Sequence, residues 1–404
     1  MHLSCHIISN PTTFPYSHLP LPPTNSYLGG GGVIVSLSLV IYGFSYDRCV
    51  VLALVTVMGN LLAQLSLNYN RPHMQDPTRP LIYWDAVLLL LPAQLGGSSV
   101  GKMIAKSLPG TVKKSIALLV LVVVTIKTFR KGLAVYEKET NEVKTKTSVQ
   151  LESKGNGDIE MTRSTELTDV DNKISPIRIR ADLKSSASHH DRIVYPWTLI
   201  SGLITLFVIL AGLYIARSHQ EKCSMEYWII IAVIFIPLLF ATFQGMVYIK
   251  NMQLTVEGYI KEGDIDVREV SLFPPFIAFV IGIMCNILGI GGGEPMGPLL
   301  LWMGVSPQVT SATTAMMSLL ASAANVVQYG VDNEIPWSIA VWFLLFGILG
   351  GYGGRSTAIY ITKKYQRASI TVFALSAVLS VSTILMVYEM SAHPPEMTIK
   401  DVCG

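Results

Sequence analysis

Long apolar runs alternate with short polar connections along this chain. The runs cover residues 49–67, 85–106 and 114–130, then 193–216, 227–249, 272–290, 309–329, 337–360 and 370–388. A helix that crosses the hydrocarbon core of a bilayer needs about 20 apolar residues, within a range of about 17–25. These runs fall in or near that range, whereas the run 33–43 is too short to span alone. The pattern predicts an all-α polytopic membrane protein with about 9–11 hydrophobic segments. Between the apolar runs, residues 69–84 form a Pro-rich connection that ends in Tyr83-Trp84, aromatics of the kind found at a headgroup boundary.

One polar stretch is far longer than the rest. Residues 131–192 are rich in Ser, Thr, Lys, Glu and Asp and poor in aromatics, which predicts a disordered cytoplasmic linker. The chain then divides into a polar, Pro-rich leader (1–28), a first transmembrane repeat (29–130), the linker (131–192), a second repeat (193–390) and a polar tail (391–404). The leader has no apolar core of the sort that marks a secretory signal.

The second half contains a break. From Phe273 to Tyr329 the one ionisable side chain, cysteine and tyrosine aside, is Glu294. It sits in Gly291-Gly292-Gly293-Glu294-Pro295-Met296-Gly297-Pro298. Glycine and proline weaken a helix, and unpaired backbone groups facing lipid are costly. Such a break is expected where protein or a wet cavity lines it.

The halves resemble one another. Gly29 to Gly32 are followed, eleven positions on, by Gly43-Phe44-Ser45; Gly291 to Gly293 are followed at the same interval by Gly304-Val305-Ser306. Downstream, Leu95-Gly96-Gly97 parallels Leu349-Gly350-Gly351. Lys127, Arg130 and Lys131, and later Lys363, Lys364 and Arg367, place those ends in the cytoplasm. Counting segments from them gives equivalent elements opposite directions: two inverted repeats with Gly-rich breaks, an arrangement common in secondary transporters. The same count calls for an apolar helix ahead of Gly29, and the leader lacks one.

Composition supports a membrane chain and removes several classes of function. Of 404 residues, 50% are hydrophobic and 14% charged, against about 25% charged in a soluble domain. The net charge of +3 forms no aromatic-studded basic patch, so no nucleic-acid partner is expected. Cys5, Cys49, Cys223, Cys285 and Cys403 share no spacing of a disulfide framework or zinc site. No metal, cofactor or enzyme constellation is expected.

The chemistry is therefore expected at the breaks. Gly291, Gly292 and Gly293, with Gly30, Gly31 and Gly32, would bare backbone amides that attract an anion, or let a second helix approach closely. Glu294, a carboxylate at membrane depth, is a candidate proton carrier or a helix cap. Asn286, Thr313, Thr314, Asn325 and Gln328 are polar groups inside apolar runs, suited to substrate contact or to bonds between helices. Asn325 and Gln328 share a helix face, as do Asn60 and Gln64 in the first half.

The motif Gly289-Ile290-Gly291-Gly292-Gly293-Glu294-Pro295-Met296-Gly297-Pro298, with Gly304-Val305-Ser306-Pro307 and Ala312-Thr313-Thr314-Ala315 after it, resembles the sulfite exporter TauE/SafE family. The stretch from Asp76 to Gly97 is similar to its plant and protist members. The resemblance covers about residues 29–130 and 193–388. It implies an integral membrane permease for sulfite, sulfonates or related small organic anions. The first copy departs from the family pattern at Ser36-Leu37, where a proline is usual. Taken together, the expected function is secondary transport of a small anion across a lipid bilayer, coupled to a proton or another ion, in a plasma membrane or an internal membrane. The rival readings are a receptor or scaffold that carries nothing, and an anion channel.

Overall fold

The computed structural model describes residues 31–69, 79–155, 195–221, 224–255, 272–289, 295–305, 307–365 and 369–392. Eleven helices run through these residues, with no strand among them. The first half holds α1 (Gly31–Tyr42), α2 (Tyr46–Asn68), α3 (Trp84–Ser107) and α4 (Gly110–Gly155). The second holds α5 (Trp197–Ser218), α6 (Met225–Thr255), α7 (Phe273–Leu288), α8 (Met296–Trp302), α9 (Pro307–Val331), α10 (Trp337–Tyr365) and α11 (Ser369–Ala392). The all-α expectation holds. Helices α2, α3, α5, α6 and the Trp337–Thr357 part of α10 are long and apolar enough to cross a membrane. The protein is an integral, multi-pass membrane protein.

Two bounds differ from the sequence reading. The run expected at 114–130 belongs to a helix that continues to Gly155. Between Gly132 and Gly155 the chain has no glycine or proline, and Lys138, Glu142 and Lys146 alternate in sign at i,i+4 spacing. Polarity removed these residues from the membrane pattern without removing their helix propensity. The rest of the expected disordered linker, 156–192, lies outside the described residues. The run expected at 272–290 is a helix of 16 residues that stops at Leu288. Gly289 takes φ 68°, a left-handed conformation open to glycine, and its N–H bonds the Cys285 carbonyl.

Short helices and positive-φ glycines recur. Helix α1 ends at Gly43 (φ 61°) before α2, and α8 is followed by Gly304 (φ 88°) before α9. In both halves a short helix turns at a left-handed glycine into a long one.

Glycine also sets the closest helix contacts. Helices α3 and α7 approach until a Cβ built on Gly97 would lie 1.9 Å from the Phe279 carbonyl oxygen, and one on Gly282 would lie 2.2 Å from that of Gln94. Helices α2 and α10 meet in the same way, Gly347 against the Thr56 carbonyl at 2.2 Å. Small residues permit backbone packing of this kind in membranes. Gly282→Val is expected to destabilise the fold by about 1–3 kcal/mol, the usual range for overpacking, read as a lower thermal midpoint of the purified protein in detergent. An unchanged midpoint would contradict the contact.

The buried apolar residues form two large groups and a small one of Val57, Leu61 and Leu319. One large group unites α3, α5, α6, α8 and α9 around Leu89, Leu90, Leu91, Leu210, Ile234 and Met296. The other unites α1, α2, α4, α10 and α11 around Leu52, Leu54 and Met386. Helix α7 touches both, through Ala278 in the first and Leu288 in the second. Large apolar side chains on α5 and α6, such as Ile204, Val208, Leu239, Phe240 and Phe243, point outward, as a lipid-facing surface requires.

Candidate functional site

The last turn of α7 carries Asn286 into a polar layer. Its Nδ2 donates to the Ser98 carbonyl (2.8 Å), Ser98 Oγ (3.1 Å) and Asn325 Oδ1 (3.3 Å). Its Oδ1 accepts from the Tyr329 hydroxyl at 2.8 Å, and Ser98 Oγ donates to Asn325 Oδ1 at 2.9 Å. All four side chains are buried. Helices α3, α7 and α9 thus meet through polar groups immediately before the chain leaves α7 at Gly289. Helix spacing explains the face on α9: Gln328 and Tyr329 follow Asn325 by three and four residues around one side, and Asp332 comes three residues later in the turn beyond.

Charge collects beside this layer. Lys102 on α3, 2% exposed, donates from Nζ to the Gln328 carbonyl (3.0 Å) and to Asp332 Oδ2 (2.7 Å), and sits 3.9 Å from the centre of the Tyr329 ring. Arg217, in the last turn of α5, donates from Nη2 to both Asp332 oxygens at 2.9 and 3.0 Å. Lys106 reaches Asp332 at 3.2 Å and Glu334 at 2.7 Å. Three cations therefore surround two carboxylates. Burial alone would raise the Asp332 carboxyl; Lys102 and Arg217 outweigh it and hold it at about 2. Asp332 lies in the turn beyond α9.

Burial leaves two donors here unfilled. Gln328 Nε2 and Ser322 Oγ, on residues 1% and 0% exposed, have no hydrogen-bond partner. Buried polar groups nearly always have partners, so these atoms mark where an acceptor would be held. A second ionic group flanks α7 from the other side. Lys113, buried at the start of α4, pairs with Asp47, and Lys114 pairs with Glu389 at 3.2 Å. Tyr46 beside them donates its hydroxyl to the Ile287 carbonyl at 3.5 Å. Among the described residues, no group of three His, Cys, Asp or Glu side chains is placed to hold a metal.

The sequence-derived candidates fall in different places. Asn286 and Asn325 come together, and Gln328, three residues on along α9, offers its carbonyl to Lys102. Thr313 does not join them: its Oγ1 accepts from the Tyr83 N–H at 3.0 Å, tying the approach to α3 onto α9. Thr314 donates to the Thr310 carbonyl of its own helix at 2.8 Å. At about 1.5 Å per residue, Thr313 is about 18 Å along α9 from Asn325, so this pair lies apart from the polar layer. Gly31 and Gly32 are the first residues of α1, where N–H groups lack intrahelical partners. Gly30, Gly291, Gly292, Gly293 and Glu294 lie outside the described residues.

The charged members of the site, Lys102, Lys106, Arg217 and Asp332, are missing from the sequence-based set, as are Ser98 and Tyr329. Lys102 carries the available signal. It is a lysine well inside the run 85–106, next to Ser98, Ser99 and Gly101, and ionisable residues at such positions are costly unless partnered.

A family model for the sulfite exporter TauE/SafE matches residues 179–381, about half of the chain and all of α5 to α10. The chain belongs to the sulfite exporter TauE/SafE family. Among its TauE/SafE relatives in Arabidopsis thaliana, family protein 3 is 26% identical over 361 residues, covering 88% of this chain and 73% of that protein. Family protein 1 is 26% identical over 372 residues, covering 89% and 78%. A probable membrane transporter protein of Bacillus subtilis, YunE, is 29% identical over 114 residues, covering 28% of this chain and 40% of that one. No solved structure matches the chain. Membership in TauE/SafE, with the apolar helices, makes this protein a membrane transporter.

Proposed function

We propose that the protein is a secondary transporter of small anions, of the sulfite, sulfonate and related organic class, and that the anion is held where α7 ends against α3 and α9. The carrying observation is the buried polar layer itself: Asn286, Asn325 and Ser98 beside Lys102, with Gln328 Nε2 unfilled. Amide and hydroxyl donors near a cation fit a desolvated oxyanion. The names of the Arabidopsis relatives carry the sulfite reading. In the sequence the glycine run 291–293 comes two residues after Gly289, and its amides are a further proposed contact for the anion.

An inverted pair of half-sites is supported by contacts at neighbouring, though not identical, positions of the two registers. The register that superposes Gly32 on Gly293 brings Gln64 onto Asn325 and Asn68 onto Tyr329; the register of Gly97 on Gly351 brings Ser98 onto Tyr352 and Gly101 onto Arg355. In the second-half site α3 reaches α9 through Ser98–Asn325 and Lys102–Gln328. At the other end of the molecule α10 reaches α2 through Tyr352–Ser66 and Arg355–Asn68, the last at 3.0 Å. Two latches of this kind, one toward each face, suit alternating access around a central site.

Flux of sulfite and of a short alkyl sulfonate into proteoliposomes tests the reading. Asn325→Ala is expected to lower initial flux about tenfold, the loss of one or two hydrogen bonds to a charged ligand. Absence of flux for a broad anion panel in the wild-type protein would refute transport and favour a receptor; current without a coupling ion would indicate a channel.

A further inference from the structure

The Asp332 carboxylate occupies the kind of place that an anion would take. Arg217 grips both its oxygens, and Lys102 and Lys106 converge on Oδ2. The two deepest cations keep other partners of their own. Lys102 is held by the Gln328 carbonyl and stacked on Tyr329; Arg217 lies 5.6 Å from the Tyr214 ring. The carboxylate, by contrast, rides on a short turn between α9 and α10. Asn333, the next residue, takes φ 54°, and its N–H bonds the Gly330 carbonyl. A change in that turn can withdraw the carboxylate while the cations stay on their helices.

We propose that Lys102, Lys106 and Arg217 form an access site for a compact anion with two or more oxygens on one atom, and that Asp332 is a tethered stand-in which the travelling anion displaces. The inference rests on the transport reading above and assigns it an order of events. The anion first exchanges with the carboxylate, then moves one turn inward toward Gln328 and Asn325. Lys106, at 39% exposure, opens the cluster to solvent, while Lys102 at 2% and Arg217 at 5% mark its depth. Gln328 lies four residues before Asp332; its carbonyl accepts from Lys102, and its buried Nε2 has no partner, an independent sign of a missing acceptor. A tether keeps the carboxylate at an effective concentration on the order of millimolar, so free anion competes with it at similar concentrations.

Binding of sodium sulfite to the full-length protein in detergent, against sodium chloride at matched ionic strength, provides the test. Asp332→Asn keeps the shape and removes the carboxylate that Lys102 and Arg217 hold, leaving Glu334 on Lys106. It is expected to bind sulfite about tenfold more tightly than wild type, the gain that follows when the tethered carboxylate leaves the cations free about a tenth of the time. Adding Arg217→Gln to it is expected to abolish the gain. Unchanged or weaker binding in Asp332→Asn, or no detectable binding in either protein, would overturn the proposal. Should Asp332→Asn fail to fold, hydrogen exchange of residues 328–336 in wild type decides: saturating sulfite should speed exchange in that turn, and unchanged or slower exchange overturns the idea. The two readings separate cleanly. Tighter binding without flux in vesicles keeps the stand-in and removes transport; flux in wild type with unaltered binding in Asp332→Asn does the reverse.

Discussion

Lys102→Met is expected to lower stability by about 3 kcal/mol and to reduce anion flux at least about a hundredfold. Methionine matches the length and flexibility of the lysine stem, so the void it leaves is small. The loss comes from charge. Lys102 is nearly wholly buried, and its ammonium serves the Asp332 carboxylate, the Gln328 carbonyl and the Tyr329 ring together. Removing one member of a buried ion pair typically costs about 3–5 kcal/mol, because the partner stays buried with its charge uncompensated. Arg217 remains on Asp332 in the variant, which sets the expectation at the low end. For transport no such relief exists. The cation nearest to Asn325 and Gln328 is gone, and a desolvated anion beside them loses its counter-charge. Thermal unfolding in detergent gives the first quantity and proteoliposome flux the second. Wild-type flux from a folded Lys102→Met protein would remove the polar layer from the substrate path. Pairing it with Asp332→Asn is expected to recover stability but not flux, which separates the structural role of the ion pair from its part in binding.

The membrane fold was legible because its signal is an average over many residues. A run such as 193–216 or 337–360 survives several polar insertions, and the described helices α5 and α10 lie on those runs. Ends were less legible wherever composition and conformation part company. Helix α4 extends to Gly155 through residues whose polarity said linker while their backbone propensity said helix. Helix α7 stops at Leu288 because Gly289 adopts a left-handed turn, and the motif announced that stop. The polar layer was legible in its neutral members. Asn286, Asn325 and Gln328 stood out as polar groups in apolar runs, and helix spacing put the latter two on one face. Thr313 and Thr314 stood out equally and belong elsewhere, since a hydroxyl can return its hydrogen bond to its own helix or to a nearby loop. The charged members were hidden by position: Arg217 and Asp332 lie at helix ends, where sequence alone reads ordinary solvated termini. What joins them to Lys102 is the packing of α3, α5 and α9, and that is a property of three segments distant along the chain.

Glu294→Gln is expected to remove the pH dependence of transport. Asp332 cannot supply that dependence. Asp332 is held at about 2 by Lys102 and Arg217 against the effect of burial. A carboxyl whose folded pKa is depressed contributes stability that is fully present above the ordinary value of about 4 and is lost as pH falls toward 2. Between pH 5 and pH 8 Asp332 therefore stays ionised, and stability should not vary through it. A proton that travels with the anion in that window needs another carrier. From Phe273 to Tyr329 Glu294 is the single carboxylate, and it follows directly on the glycine run. An anion held beside a fixed negative charge is repelled; protonation of Glu294 would remove the repulsion and move one proton with the substrate. Wild-type sulfonate uptake should then rise as outside pH falls, by up to about tenfold per unit above the pKa of that carboxyl. A sulfonate is the suitable probe because it keeps one charge throughout, whereas sulfite itself titrates. Glu294→Gln, a permanent mimic of the neutral acid, should give flux that no longer varies from pH 5 to pH 8 and no longer accumulates substrate against a gradient. A glutamine variant with the wild-type pH profile would assign proton coupling elsewhere and leave Glu294 as a helix cap at the break.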